Sequence, residues 1–138
     1  FFICAAAISD YATCECQEGK ISSDAVEELD VRMRLTPKII DKARDVNDDV
    51  FIVAFKAETN VSRSELIDRA HGRLKKSKAD MIVANDVGQE GIGFVSRENE
   101  VYIIDKEKHI THVNRHSKRY VASKIIDSAL ESYRVRDL

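Results

Sequence analysis

The sequence carries almost no excess charge of either sign. Its 22 lysines and arginines face 24 aspartates and glutamates, a formal net of −2. That balance leaves no basic footprint for nucleic acid. No apolar run approaches the roughly 20 residues that span a bilayer. Residues 1–8 are apolar, but no basic stretch precedes them and no small-residue cleavage site follows, so a secretory signal is not expected. Cysteine is scarce: only Cys4, Cys14 and Cys16. Cys14 and Cys16 are separated by a single residue, where zinc knuckles have roughly two to four. Two thiols so spaced do not make a zinc site, so no metal site is expected. Cys14 and Cys16 read as free loop thiols and Cys4 as a buried one. A low, odd count fits a reducing compartment, and the expected location is cytoplasmic. No G-x-G-x-x-G follows a strand, which excludes a dinucleotide-dependent oxidoreductase.

What is present is an ordinary globular composition. The chain has 138 residues, 43% of them hydrophobic and 33% charged, which suits one domain with one core. Residues 1–8 run apolar without alternation and read as a strand buried on both faces. A chain that opens inside such an element is expected to have more sequence before it. Residues 12–28 are small and polar and read as a loop. Leu29, Val31, Met33 and Leu35 then alternate with Asp30, Arg32 and Arg34, as in a half-buried strand. Thr36-Pro37 reads as a helix cap and first helical position, with Ile39, Ile40 and Ala43 facing inward. Residues 50–55 are a second buried strand. Ser62 to Glu65 forms a capping box before a helix with Leu66, Ala70 and Leu74 on one face. Residues 79–84 are a third buried strand. Three short strands follow, over residues 93–96, 101–104 and 109–113. Val121, Ile125 and Ala129 mark a last helix.

Strands alternating with helices predict an α/β fold with a mainly parallel sheet and a small antiparallel hairpin extension. In such sheets ligands bind beyond the carboxyl ends of the strands. Three buried strands end in polar clusters: Ser9-Asp10, Lys56 to Asn60, and Asn85-Asp86. Polar residues also simply end strands, so the convergence only points to a site.

Six landmarks occur in order. They are Ala5-Ala6-Ala7-Ile8-Ser9-Asp10-Tyr11; Gly19-Lys20-Ile21; Leu35-Thr36-Pro37-Lys38-Ile39-Ile40; Ala54-Phe55-Lys56-Ala57-Glu58-Thr59-Asn60; Asp80 to Val87; and Gly93-Phe94-Val95-Ser96 with Asn99. In this register the sequence resembles the phosphopantothenoylcysteine synthetase family, that is, phosphopantothenate–cysteine ligases. The resemblance covers essentially the whole chain. It implies a Rossmann-like three-layer sandwich. It also implies ligation of 4′-phosphopantothenate to cysteine through an acyl-nucleotide, as a step of coenzyme A biosynthesis. The nucleotide is CTP or ATP, with CTP favoured, and Mg²⁺ accompanies it. FMN enters only if a decarboxylase domain is fused upstream. A homodimer is expected, with no nucleic-acid partner and no membrane.

The resemblance assigns Lys20 to the phosphates and the reacting carboxylate. Asp10 is assigned to the nucleotide sugar or base, and Phe55 with the backbone of Pro37, Lys38, Ile39 and Ile40 to the base pocket. Arg73 takes one phosphate-binding position on the helix. The second falls on Ser77, where the family has lysine, with Lys76 or Lys78 as substitutes. Ala7, Asn85 and Asp86 support the substrate. As residues alone, Lys20 is equally an exposed loop lysine, Asp10 a turn residue and Phe55 a core aromatic. Lys76 and Lys78 are equally a solvated helix end. His71, His109, His112 and His116 match no motif.

The family's Gly-Gly-Thr-x-Glu and Asn-x-Ser-Ser-Gly segments do not occur here. The first resembles a phosphate cradle. Residues 1–138 therefore read as one domain missing its N-terminal phosphate-binding portion. The alternative is a non-catalytic nucleotide-binding or dimerisation module that supports a partner subunit.

Overall fold

The computed structural model describes residues 1–16, 18–22, 27–89, 92 and 96–136. In chain order the elements are β1 (Phe2–Ile3), β2 (Tyr11–Thr13), β3 (Met33–Leu35), α1 (Ile39–Val46), β4 (Ile52–Glu58), α2 (Arg63–Ser77), β5 (Met81–Asp86), β6 (Glu98–Asp105), β7 (Ile110–Ser117) and α3 (Lys118–Arg136). The chain divides into two compact units, residues 1–5 with 40–138, and residues 6–39.

The larger unit holds a five-stranded sheet in the order β1-β4-β5-β6-β7. The first three of these strands are parallel, and β6 and β7 extend the sheet antiparallel at one edge. The α/β architecture with an antiparallel edge extension is thus the one the residue pattern predicts. β4 and β5 lack alternation because both of their faces are covered. Phe51, Val53, Met81 and Val83 pack with Val121, Ile125 and Ala129 of α3. Ile52, Ala54, Ile82 and Ala84 pack with Leu66, Ala70 and Leu74 of α2, and Ile40 and Ala43 of α1 join them. Each fully buried side chain of this kind is worth roughly 1.5–3 kcal/mol.

α2 starts where its sequence says. Ser62 Oγ accepts from the Glu65 amide, and Glu65 returns a carboxylate oxygen to the Ser62 amide. The helix closes on Lys78 in the left-handed region, whose amide donates to the Leu74 and Lys75 carbonyls.

Several local expectations are corrected. Of residues 1–8 only Phe2 and Ile3 enter the ladder, because the Ala5 amide turns back onto the Ile3 carbonyl and the chain leaves the sheet. β1 lies at the sheet's edge, and Phe1 and Ile3 are exposed rather than buried on both faces. Cys4 is half-buried. β6 and β7 run longer than expected and have one irregularity between Asn99 and Val101. The strand expected over residues 93–96 falls largely outside the described residues.

In the smaller unit, β2 and β3 pair antiparallel with Tyr11 opposite Leu35. A strand therefore opens the stretch read as a loop. The alternation over residues 29–35 yields a strand only at Met33–Leu35, and all three of its residues are exposed. Thr36 is not a helix cap. Its hydroxyl donates to the Ser9 carbonyl, and α1 begins at Ile39.

Candidate functional site

The carboxyl ends of β4 and β5 gather the polar residues of the larger unit. Along β4 the side chains alternate in direction. Phe55 points to the α3 side in step with Val53, and Lys56 and Glu58 point to the α2 side in step with Ile52 and Ala54. Phe55 is 36% exposed, an aromatic left partly uncovered above a sealed core. On the same side, the Asn85 amide donates to Asn99 Oδ1 at 3.3 Å.

On the α2 side, Lys56 Nζ lies 2.9 Å from Glu58, and Arg69 of α2 reaches the other carboxylate oxygen at 3.0 Å. The hydrogen bond from Lys56 is the main reason the Glu58 carboxyl sits below its ordinary value. Partial burial opposes it, and Arg69 adds to it. Asp86 is buried and accepts from the amides of Asn60 and Gly88, at 3.0 and 2.9 Å. It ties the two strand ends together. Gly88 is required there, since a Cβ would lie 2.5 Å from Asn60 Oδ1 and 2.9 Å from the Asn60 nitrogen.

The helical cations expected at the phosphates do not join this group. Arg73 crosses to α1 and pairs with Asp41. Ser77 is 2% exposed and donates its hydroxyl to the carbonyls of Arg73 and Leu74, so it is closed to a ligand. Lys76 and Lys78 follow at the far end of α2. There the Lys78 carbonyl accepts from Arg44, and the Asp80 amide pairs with Ile52, the first residue of β4. That is the amino end of the strands, opposite Phe55 and Asn85. At roughly 1.5 Å rise per residue the 15 residues of α2 run the length of the sheet, so Arg69 reaches the carboxyl end while Lys76 lies at the amino end.

The amino end has a centre of its own. Asp80 is 3% exposed and is met by Arg44 at 2.8 Å, by the Ile52 amide at 2.7 Å, and by Lys106. Burial is the largest single influence and pushes its carboxyl up. The Lys106 hydrogen bond, the Ile52 amide and Arg44 together outweigh it and hold the group below its ordinary value. A cleft of about 580 Å³ opens beside it, lined by Lys106, His109 and Arg136 among others. Asp105, Glu107 and His109 hold donor atoms within 4.8 Å of one another, but Asp105 and His109 already bond each other. The other histidines make separate local contacts: His71 to the Lys106 carbonyl, His112 to Glu100, and His116 to Ser117.

In the smaller unit the structure joins two of the expected residues. Lys38 Nζ lies 2.8 Å from Asp10 Oδ1. Lys20 and Pro37 are exposed, as is Ala7. Sequence reasoning quoted Glu58 and Asn99 inside motifs without giving them work. Spacing was the available signal, because Lys56 and Glu58 are two apart on a strand and must share a face. Arg69 and Thr36 left no such signal.

Comparison with known proteins supplies the family. The pattern of the DNA/pantothenate metabolism flavoprotein C-terminal domain matches residues 1–133. The "Coenzyme A biosynthesis bifunctional protein CoaBC" of Methanocaldococcus jannaschii is 39% identical over 125 residues, covering 91% of this chain and 29% of that protein. The chain thus spans less than a third of that relative's length. The crystal structure of the DNA/pantothenate metabolism flavoprotein from Streptococcus pneumoniae superposes with a TM-score of 0.71 at 24% identity, over 92% of this chain and 60% of that one. The H337A mutant of Cab2, in complex with phosphopantothenate-cysteine, superposes with a TM-score of 0.63 at 18% identity, over 97% of this chain and 45% of that one. These two likenesses speak for the fold, and the sequence match for the lineage. The chain belongs to the family of the DNA/pantothenate metabolism flavoprotein C-terminal domain.

Proposed function

We propose that the chain is the C-terminal part of a phosphopantothenate–cysteine ligase acting in coenzyme A biosynthesis. The observation that carries this is the family match over residues 1–133, which takes in all six landmark segments. A relative named for coenzyme A biosynthesis and a fold neighbour holding phosphopantothenate-cysteine support it.

The reaction has two steps. The carboxylate of 4′-phosphopantothenate attacks the nucleotide α-phosphate and expels pyrophosphate, giving an acyl-nucleotide. The cysteine amine then attacks the acyl carbon, forms the amide and releases the nucleoside monophosphate. Charge building on the phosphates needs preplaced cations. In this reading Lys20 supplies one and Asp10 holds the sugar or base. Phe55 offers a partly exposed aromatic ring, on which a base can pack. Arg73 keeps a phosphate role only by leaving Asp41, and Ser77 has none.

Mg²⁺ fits as a companion of the triphosphate. The carboxylates at the carboxyl end are engaged, Asp86 by two backbone amides and Glu58 by Lys56 and Arg69. Phosphate oxygens and water are then its natural ligands, and bound there it offsets the phosphate charge. We take CTP over ATP as the nucleotide, a homodimer as the assembly and the cytosol as the location. The two units serve as one functional domain, and FMN belongs only to a fused decarboxylase.

The second reading is a nucleotide-binding or dimerisation module without catalysis that supports a partner subunit. One assay separates the two readings. The chain alone and its full-length parent receive Mg²⁺, 4′-phosphopantothenate, cysteine and either CTP or ATP, and product is read by mass spectrometry. Product from the parent and none from the chain supports a ligase whose missing portion is essential. No product from either folded protein with either nucleotide overturns the ligase reading.

A further inference from the structure

We propose that Thr36 and Lys38 are positioning residues that hold the Asp10 carboxylate in the orientation in which it receives the nucleotide. The inference rests on the reading of Asp10 as a nucleotide ligand and adds two residues to it. Three bonds converge on Ser9-Asp10 from one tripeptide. Thr36 Oγ1 donates to the Ser9 carbonyl at 2.8 Å. The Thr36 amide donates to the Asp10 carbonyl at 2.9 Å. Lys38 Nζ donates to Asp10 Oδ1 at 2.8 Å. Two adjacent carbonyls and one side-chain oxygen are thus gripped together, which fixes both the backbone and the carboxylate.

The tripeptide suits the task. Proline locks its own φ near −65° and pushes the preceding residue into extended geometry. Thr36 therefore continues the direction of β3 with its amide and hydroxyl turned to Ser9-Asp10, and Pro37 sets where Lys38 departs. Pro37 is the chain's one proline, placed between the two gripping residues.

The Thr36 amide bond continues the β2–β3 pairing, but stability does not account for the ion pair. The Lys38 and Asp10 side chains are 44% and 54% exposed. An ion pair so open to water adds little to folding. What the clamp supplies is preorganisation, since a carboxylate already oriented loses less freedom on binding. Lys38 also offsets a negative charge that would otherwise repel a triphosphate.

The test uses the full-length parent, with CTP and ATP each titrated by calorimetry and each used in turnover. Thr36→Val is expected to weaken nucleotide binding about fivefold, the scale of one net hydrogen bond, with kcat at saturation unchanged. Thr36→Ser is expected to restore it. In an Asp10→Asn background, itself weakened, Thr36→Val is expected to add nothing, because the clamp acts through that carboxylate. An additive loss, or unchanged affinity in Thr36→Val, overturns the proposal. If Asp10→Asn weakens binding and Thr36→Val does not, the clamp fails and the reading of Asp10 stands. If Asp10→Asn binds normally, or the folded parent binds neither nucleotide, that reading fails and takes the clamp with it. Should Thr36→Val not fold, Thr36→Ala carries the same cycle, because it removes the same hydroxyl with a smaller side chain.

Discussion

Arg44 of α1 reaches the buried carboxylate of Asp80 at 2.8 Å and also donates to the Val50 carbonyl at 2.7 Å. One side chain thus ties α1 to the entrances of two neighbouring parallel strands. Asp80 simultaneously caps the Ile52 amide. Asp80→Ala leaves Arg44 facing a buried space with no counter-charge and strips that amide of its partner. Breaking a buried pair costs about 3–5 kcal/mol, and Arg44's partial exposure places this case near the lower end. Urea unfolding of the parent should show the loss as a lower midpoint at unchanged slope. A midpoint shift worth less than about 1 kcal/mol would show that the network is ornamental.

The same carboxylate sets an acid limit. Its folded value is held below the ordinary 3.8, so the native state favours the ionised form. The stabilisation is complete above the unfolded value of 3.8 and is lost as pH falls from there through the lower folded value. Thermal midpoints measured from pH 6 downward should fall most steeply below pH about 4, and Asp80→Asn should flatten that fall. Identical pH profiles for the two proteins would assign the acid sensitivity to other groups.

The sequence announced the strands best where burial on both sides left no choice. Residues 50–55 are apolar throughout, and 79–84 at every position but Asp80, because α3 covers one face and α1 with α2 the other. The capping box at Ser62 was legible because it is local chemistry. The smaller unit was not legible. Alternation from Leu29 to Leu35 implies a buried face, yet Leu35 is among the most exposed apolar residues of the chain. Thr36-Pro37 carries a helix-start signature, and tertiary bonds from Thr36 to the carbonyls of Ser9 and Asp10 divert it. The pairing of Arg73 with Asp41 across two helices likewise has no trace in sequence spacing.

Phe55 separates packing from binding. It follows Val53 on the α3 side of β4 but leaves a third of its surface open. Phe55→Ala removes mainly the covered part of the ring, for about 1–2 kcal/mol of stability, less than the roughly 3–5 kcal/mol of a sealed aromatic. If a nucleotide base packs on the open face, the same change should raise the nucleotide Kd about tenfold, the upper range for one aromatic stacking contact. Calorimetry on the folded parent variant decides it. Unchanged affinity alongside lowered stability returns Phe55 to the core.

Lys20 is the sharpest case, because its two readings predict the same stability and opposite activities. It is an exposed lysine of the smaller unit. A solvated surface lysine can be replaced within about 0.5 kcal/mol of stability, so Lys20→Ala should fold like the parent. A lysine that meets the triphosphate only as charge builds should cost about a hundredfold or more in kcat, as loss of one preplaced charge donor does. Pyrophosphate release without cysteine reports the first step alone and should fall by the same factor. Lys20→Arg keeps the charge but swaps a compact ammonium for a planar fork, so partial recovery is expected. Normal stability with near-normal pyrophosphate release would leave Lys20 an ordinary loop residue and move the activating cation elsewhere.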